Sequence, residues 1–231
     1  MTRTRSGAPL RRLFTCEHGG REIPAEFAAA FEDAATDLAS HRGWDPGALE
    51  AFDALAAAHG DAAFAAETSR LLVDLNRSLH HPQVFSAHSR GLSPRERADI
   101  AARWWQPWRE SVVATIERWL AAGATVRHVS VHSFTPVLGV EVRNADIGLL
   151  YDPRRQPEVE FCRDWLQGLR QRGWRVRRNY PYRGIADGHT TALRRRFATG
   201  YAGVELELNQ ALFPDRREAL LRDLVQTFPA R

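Results

Sequence analysis

The chain has 231 residues, 44% hydrophobic and 26% charged, with a formal net charge of +4. This suits one α/β domain with its own core and excludes a disordered or fibrous chain. No apolar run approaches the roughly 18–20 residues that span a bilayer, and the two cysteines, Cys16 and Cys162, are too far apart for a metal or redox motif.

All 32 basic residues are arginine, which with the abundant alanine fits a GC-rich bacterial genome. The arginine clusters at 175–178 and 194–196 would suit nucleic acid. They are short and lie among apolar residues, so neither a nucleic-acid nor a membrane partner is expected. The start, Met1 to Gly7, is basic without an apolar stretch behind it, so no signal peptide and a cytoplasmic location are expected.

Residues 1–9 read as a flexible N-terminal arm and 10–231 as a single domain. Arg11 to Cys16 is a short strand ending at Glu17-His18-Gly19-Gly20. Pro24 to Leu38 has helical spacing. Asp45-Pro46-Gly47 opens a helix to His59, with Asp45 as N-cap and Pro46 in the first turn. Arg70 to Leu75 reads as a buried strand and 76–91 as a loop. Ser93-Pro94-Arg95-Glu96 is a capping box starting a helix to Ala122. Strands are predicted at Val126–Val131, Ile147–Tyr151, Trp174–Arg178 and Val204–Leu208. Helices are predicted at Glu158–Arg172, Thr190–Ala198 and Arg216–Phe228. This alternation predicts an α/β sheet covered by helices on both faces, with its site at strand carboxyl ends.

His18 and His132 each close a predicted strand and are followed by small residues. Two imidazoles so placed can converge on a zinc-like ion, which at a catalytic site takes three protein ligands and a water. Alone, either histidine reads equally as a satisfied core residue. The third ligand is left between Asp45 and Glu22; Glu17 should point away from His18 along the strand. Glu205 and Glu207 share one strand face, which reads either as a solvated acidic face or as a site in which a carboxylate moves protons. Arg77 and Arg143, beside Asn76 and Asn144, could clamp a substrate carboxylate or lie on the surface. Asp187-Gly188-His189-Thr190 either caps a helix or reaches the site.

Seven segments in order, TCEHGGREIP (15–24), HRGWDPGA (41–48), SRLLVDLNRS (69–78), VHSFTP (131–136), RNADIGLLYD (143–152), NYPYRGIADG (179–188) and GVELELNQAL (203–212), resemble the N-formylglutamate amidohydrolase family. The resemblance implies a central mixed sheet flanked by helices, related to the zinc carboxypeptidases, and hydrolysis of an N-acyl amino acid. It implies one Zn2+ per chain, or another divalent metal, on His18, Asp45 and His132, with Glu207 as catalytic base. Asn76, Arg77 and Arg143 would bind substrate. The sequence departs from the family at His189-Thr190 and Asn209-Gln210, which leaves the acyl group open, as is the oligomeric state. The alternatives are a carboxypeptidase or other deacylase on the same fold, or a non-catalytic module that binds acidic amino acids.

Overall fold

The computed structural model describes residues 8–230. Most of the expected N-terminal arm, residues 1–7, lies outside the described residues. Pro9 is already tied down, its carbonyl accepting from the Thr125 amide.

The described strands are β1 (Leu10–Cys16), β2 (Ala62–Ala65), β3 (Thr125–Phe134), β4 (Val137–Leu138), β5 (Glu141–Val142), β6 (Ile147–Leu150), β7 (Val176–Arg178) and β8 (Tyr201–Asn209). The α-helices are α1 (Ala35–Ala39), α2 (Ala48–His59), α3 (Ala87–Arg90), α4 (Pro94–Ile100), α5 (Gln106–Ala121), α6 (Gln156–Gln171), α7 (His189–Arg196) and α8 (Phe213–Gln226). Six strands form one sheet in the order β2-β1-β3-β8-β6-β7. Its pairs are parallel except β6 with β8, so the sheet is mixed. The two-stranded β4–β5 hairpin stands apart.

The two faces differ in chemistry. On one, Phe14, Val129, Val131, Val204 and Leu206 pack against Phe52 of α2, Phe161 and Trp165 of α6 and Leu224 of α8. Full burial of each such side chain contributes about 1.5–3 kcal/mol. On the other, Leu13, Val126 and Tyr201 meet Val112 and Ile116 of α5 and Leu193 of α7. Farther along this second face the alternating positions turn polar: Thr15 in β1, His128, Ser130 and His132 in β3, and Glu205 and Glu207 in β8. Parallel register sets Thr15 beside Ser130, and His132 beside Glu207. A row of polar groups, all buried except the half-buried Glu205, therefore runs toward the carboxyl ends of three adjacent strands.

Several elements differ from the sequence reading. Pro24–Leu38 is a 3-10 turn (Ala25–Phe31) and the short α1, because three-residue bonds close early, Phe27 N–H to the Pro24 carbonyl and Ala34 N–H to that of Phe31. Arg70–Leu75 is buried but not a strand. Ser69 Oγ takes the Leu71 amide at 3.1 Å and Asp74 Oδ1 takes the Asn76 amide at 3.0 Å, so side chains fold the backbone into turns. The Ala-rich β2 was not expected. The capping box at Ser93 is present, and the helix behind it runs to Ala121 through a π turn at Ala101–Trp105.

Asp45 is not a side-chain cap. The N-cap of α2 is Gly47, at φ +81°, left-handed backbone that suits glycine; a Cβ there would strike the Phe213 ring. The Asp45 carboxylate thereby bonds outside its own helix, to His18, His132, Arg70 and the Ser133 amide.

Candidate functional site

β3 extends past its expected end, so His132 lies within a strand rather than after it. His18 sits in the turn after β1, and the Asp45 amide donates to the His18 carbonyl at 2.9 Å. The two imidazoles lie with centroids 4.9 Å apart. Both Nδ1 atoms face one carboxylate oxygen, Asp45 Oδ2, at 3.4 Å for His18 and 3.0 Å for His132. One donor atom from each residue falls within 4.8 Å of the others, and all three residues are buried. Glu22 is exposed, its backbone bridged to Thr68, and is not in this group.

The far side of each ring is also bonded. His18 Nε2 meets Asp74 Oδ1 at 2.7 Å, and an ionised carboxylate only accepts, so Nε2 carries the proton. His132 Nε2 meets Ser130 Oγ at 2.8 Å, and the Ser130 hydroxyl donates to Glu17 Oε2 at 2.7 Å. Both Nδ1 lone pairs are left for a cation, with carboxylates behind the rings, as is usual for metal-ligating histidine. On this donor set the residues fit a zinc-like ion: two imidazoles, one carboxylate and room for water.

The charges agree. Burial alone would raise the Asp45 carboxyl, but His18, His132 and Arg70 hold it well below the usual range. Asp74 is likewise held low against burial by His18 and Arg70. Burial opposes a charge on His132, yet its bond to Asp45 and the nearby Glu17 and Glu207 push it up to about 10, so a proton meets the same demand for positive charge that a metal would.

Glu207 lies beside His132 with one buried oxygen, Oε2, unpartnered. Burial pushes its carboxyl up to about 8, with Asp45 and Glu205 adding to the rise and His132 opposing it. Gly148 faces it across the β6–β8 pair. A Cβ there would collide with the Tyr180 carbonyl, so glycine lets the 180–184 loop close over the site.

A cavity of about 160 Å3 is lined by His18, His132, Glu205 and Glu207, and by Arg77 and Tyr182. It shares Asp45, Arg70, Arg77, Ser133 and Tyr182 with a wider basin of about 580 Å3.

Asn76 and Arg77 also reach the cavity. Asn76 Oδ1 accepts the His189 amide at 2.7 Å, and Arg77 Nη1 donates to the Asp187 carbonyl at 3.2 Å. Arg143 does not line the cavity. It is buried behind Tyr182, donating to the phenol oxygen at 3.1 Å. Asp187 accepts the Ser78 amide and His189 is buried against Glu17, so neither caps α7 with its side chain. Of the arginine clusters, Arg194 is buried on Glu158 and the Gly203 carbonyl.

Arg70, Asp74, Tyr182, Glu17 and Ser130 were not among the expected site residues. The polar alternation of β1 and β3 signals Ser130. Nothing in the sequence signals that Arg70 bonds both Asp45 and Asp74, at 3.3 and 3.0 Å.

Behind the site, His128 is fully buried between Tyr201 and Thr15, and burial depresses it from 6.5 to about 3. His189 falls to about 4 for the same reason. The unfolded chain therefore binds more protons between these values and about 6.5, and stability is lost as pH falls through that window. The slope is up to about 1.4 kcal/mol per pH unit for each histidine. Urea melts from pH 7 to 4.5 should show it, and His128→Gln should remove roughly half. An unchanged slope in that variant would refute the assignment.

A sequence model for a family described as N-formylglutamate amidohydrolase matches residues 10–213. The solved structure of gene product Atu2144 from Agrobacterium tumefaciens superposes with a TM-score of 0.81 at 28% identity, over 94% of this chain and 88% of that one. An N-formylglutamate amidohydrolase from Ralstonia eutropha JMP134 shares the fold, with a TM-score of 0.70 at 18% identity, over 96% and 92% of the two chains. Among curated proteins none matches. No helix among the described residues is long and apolar enough to cross a membrane.

Proposed function

The chain belongs to the N-formylglutamate amidohydrolase family, and we propose that it hydrolyses the amide bond of an N-acyl amino acid, with N-formylglutamate as first candidate. One zinc ion, or another divalent metal, would be held by His18, Asp45 and His132, with Glu207 as general base. The observation that carries this reading is the convergence of two Nδ1 atoms on the Asp45 carboxylate beside a carboxyl whose Oε2 has no partner. A zinc ion bound there supplies Lewis acidity, acidifying water and polarising a carbonyl.

The chain's own groups do the rest. Glu207 Oε2 takes a proton from water as its oxygen attacks the acyl carbon. It returns that proton to the nitrogen as the C–N bond breaks, giving a carboxylic acid and an amine. Arg143 can only donate to the Tyr182 phenol, so the phenol's own proton is free for an acceptor in the cavity. There it can stabilise oxyanion charge, with Arg143 as the group that positions it. Arg77, with Asn76 beside it, faces the substrate carboxylate.

The wider basin favours a second reading with the same chemistry, in which the acyl group is larger than formyl or the amino acid is extended.

Metal content should be measured beside formate release from N-formyl-L-glutamate, before and after chelation and zinc restoration. About one zinc per chain with chelator-sensitive formate release is expected. Zinc without formate would favour a larger substrate. No metal, and no gain in activity on adding zinc, would refute the reading.

A further inference from the structure

The polar face of the sheet continues past the proposed metal-ligating set as a directed chain of hydrogen bonds that converges on Glu17. Glu17 is fully buried. Its Oε1 receives Thr15 Oγ1 at 2.8 Å and His189 Nδ1 at 3.0 Å, and its Oε2 receives Ser130 Oγ at 2.7 Å. Three donors on two oxygens fit an ionised carboxylate.

That fixes the direction of every bond around it. Thr15 gives its only hydroxyl proton to Glu17, so its oxygen accepts from His128 Nε2 at 2.8 Å. His128 Nδ1 then accepts from the Tyr201 hydroxyl at 2.7 Å. On the other arm Ser130 gives its proton to Glu17, so its oxygen can only accept from His132 Nε2, at 2.8 Å.

We propose that Glu17 is a positioning residue: acting through Ser130, it keeps the proton of His132 on Nε2 and so presents the Nδ1 lone pair to the cation site. Without it the Ser130 hydroxyl is free to turn and donate to Nε2, which puts the ring proton on Nδ1, where it blocks ligation. Asp74 does the same for His18 by direct contact. For His132 the carboxylate acts through a serine because Ser130 and His132 share a strand face two residues apart, with Thr15 in register beside Ser130.

The proposal rests on the metal reading above. The first measurement is long-range 1H–15N correlation on histidine-labelled protein. The His132 Nε2–H should appear as a protected proton in the zinc-loaded wild type, and its absence there would overturn the proposal.

The second is zinc affinity by chelator competition. Ser130→Ala should weaken binding roughly 10–100-fold, and Ser130→Thr, which keeps the hydroxyl, should restore most of it. Glu17→Gln should weaken binding alone yet add little on top of Ser130→Ala. A purely structural role would lower the melting temperature without this pattern, and wild-type affinity in Ser130→Ala would overturn the proposal. Zinc uptake by the wild type with unchanged affinity in Ser130→Ala would overturn the proposal alone, whereas no zinc uptake by the wild type would overturn the metal reading and the proposal with it.

Discussion

Glu207→Gln is expected to reduce kcat by roughly 10²–10⁴-fold, the usual weight of a general acid–base group, with zinc content unchanged. Glutamine keeps the volume and one acceptor oxygen but cannot take and return a proton. Glu207 is 4% exposed, with Oε2 unpartnered, so the change disturbs no hydrogen bond to that atom. The pH profile gives an independent check. Burial raises the carboxyl to about 8 in the metal-free chain, and a dication on His18, Asp45 and His132 favours its ionised form and moves that value down. The wild type should therefore show an acid limb in kcat/KM below the resulting pKa, because only the ionised form accepts a proton. Residual turnover of Glu207→Gln should lack that limb. A fully active variant with wild-type metal would remove Glu207 from the mechanism.

The parts of this site legible in the sequence were those that a strand displays by itself. His18 closes a strand, and Glu205 and Glu207 share a face by simple alternation, as do Ser130 and His132. What alternation cannot say is whether a polar face meets water or helices. Here α5 and α7 cover part of it, which turns an apparently solvated acidic face into buried chemistry. Asp45 was legible as a cap because Asp-Pro-Gly commonly opens a helix. The structure starts α2 two residues later, where Phe213 leaves no room for a Cβ at Gly47. That contact is about 166 residues away in sequence, so no local pattern could reveal it. Asp74 and Arg70 were hidden by an apolar run that suits a strand equally well. Only their side chains' bonds to the backbone and to Asp45 make it a turn. The α/β sheet with helices on both faces was legible because strands and helices alternate, whereas its mixed character was implied only by the family resemblance. The short alanine-rich β2 was not, since alanine has little strand preference.

Asp45→Ala should do to metal what Glu207→Gln does to turnover. The two outer carboxylates, Asp74 and Glu17, orient the imidazoles, and losing such groups costs roughly 10–100-fold in affinity. Among the described residues Asp45 is the one whose oxygen touches both Nδ1 atoms, so its removal should cost more than either. A thermal melt reads this without any substrate. A ligand that binds only the folded chain stabilises it by about 2.7 kcal/mol at 100 times its Kd. Zinc should therefore raise the wild-type melting temperature and leave that of Asp45→Ala almost unmoved. The metal-free variant loses a carboxylate between His18, His132 and Arg70, so its own melting temperature should fall as well, and the shift on adding zinc is the quantity to compare. A full zinc shift in Asp45→Ala would hand the third position to another carboxylate. Glu22 would then have to leave the surface and break its bridge to Thr68, a rearrangement that a structure of the zinc-loaded variant would reveal.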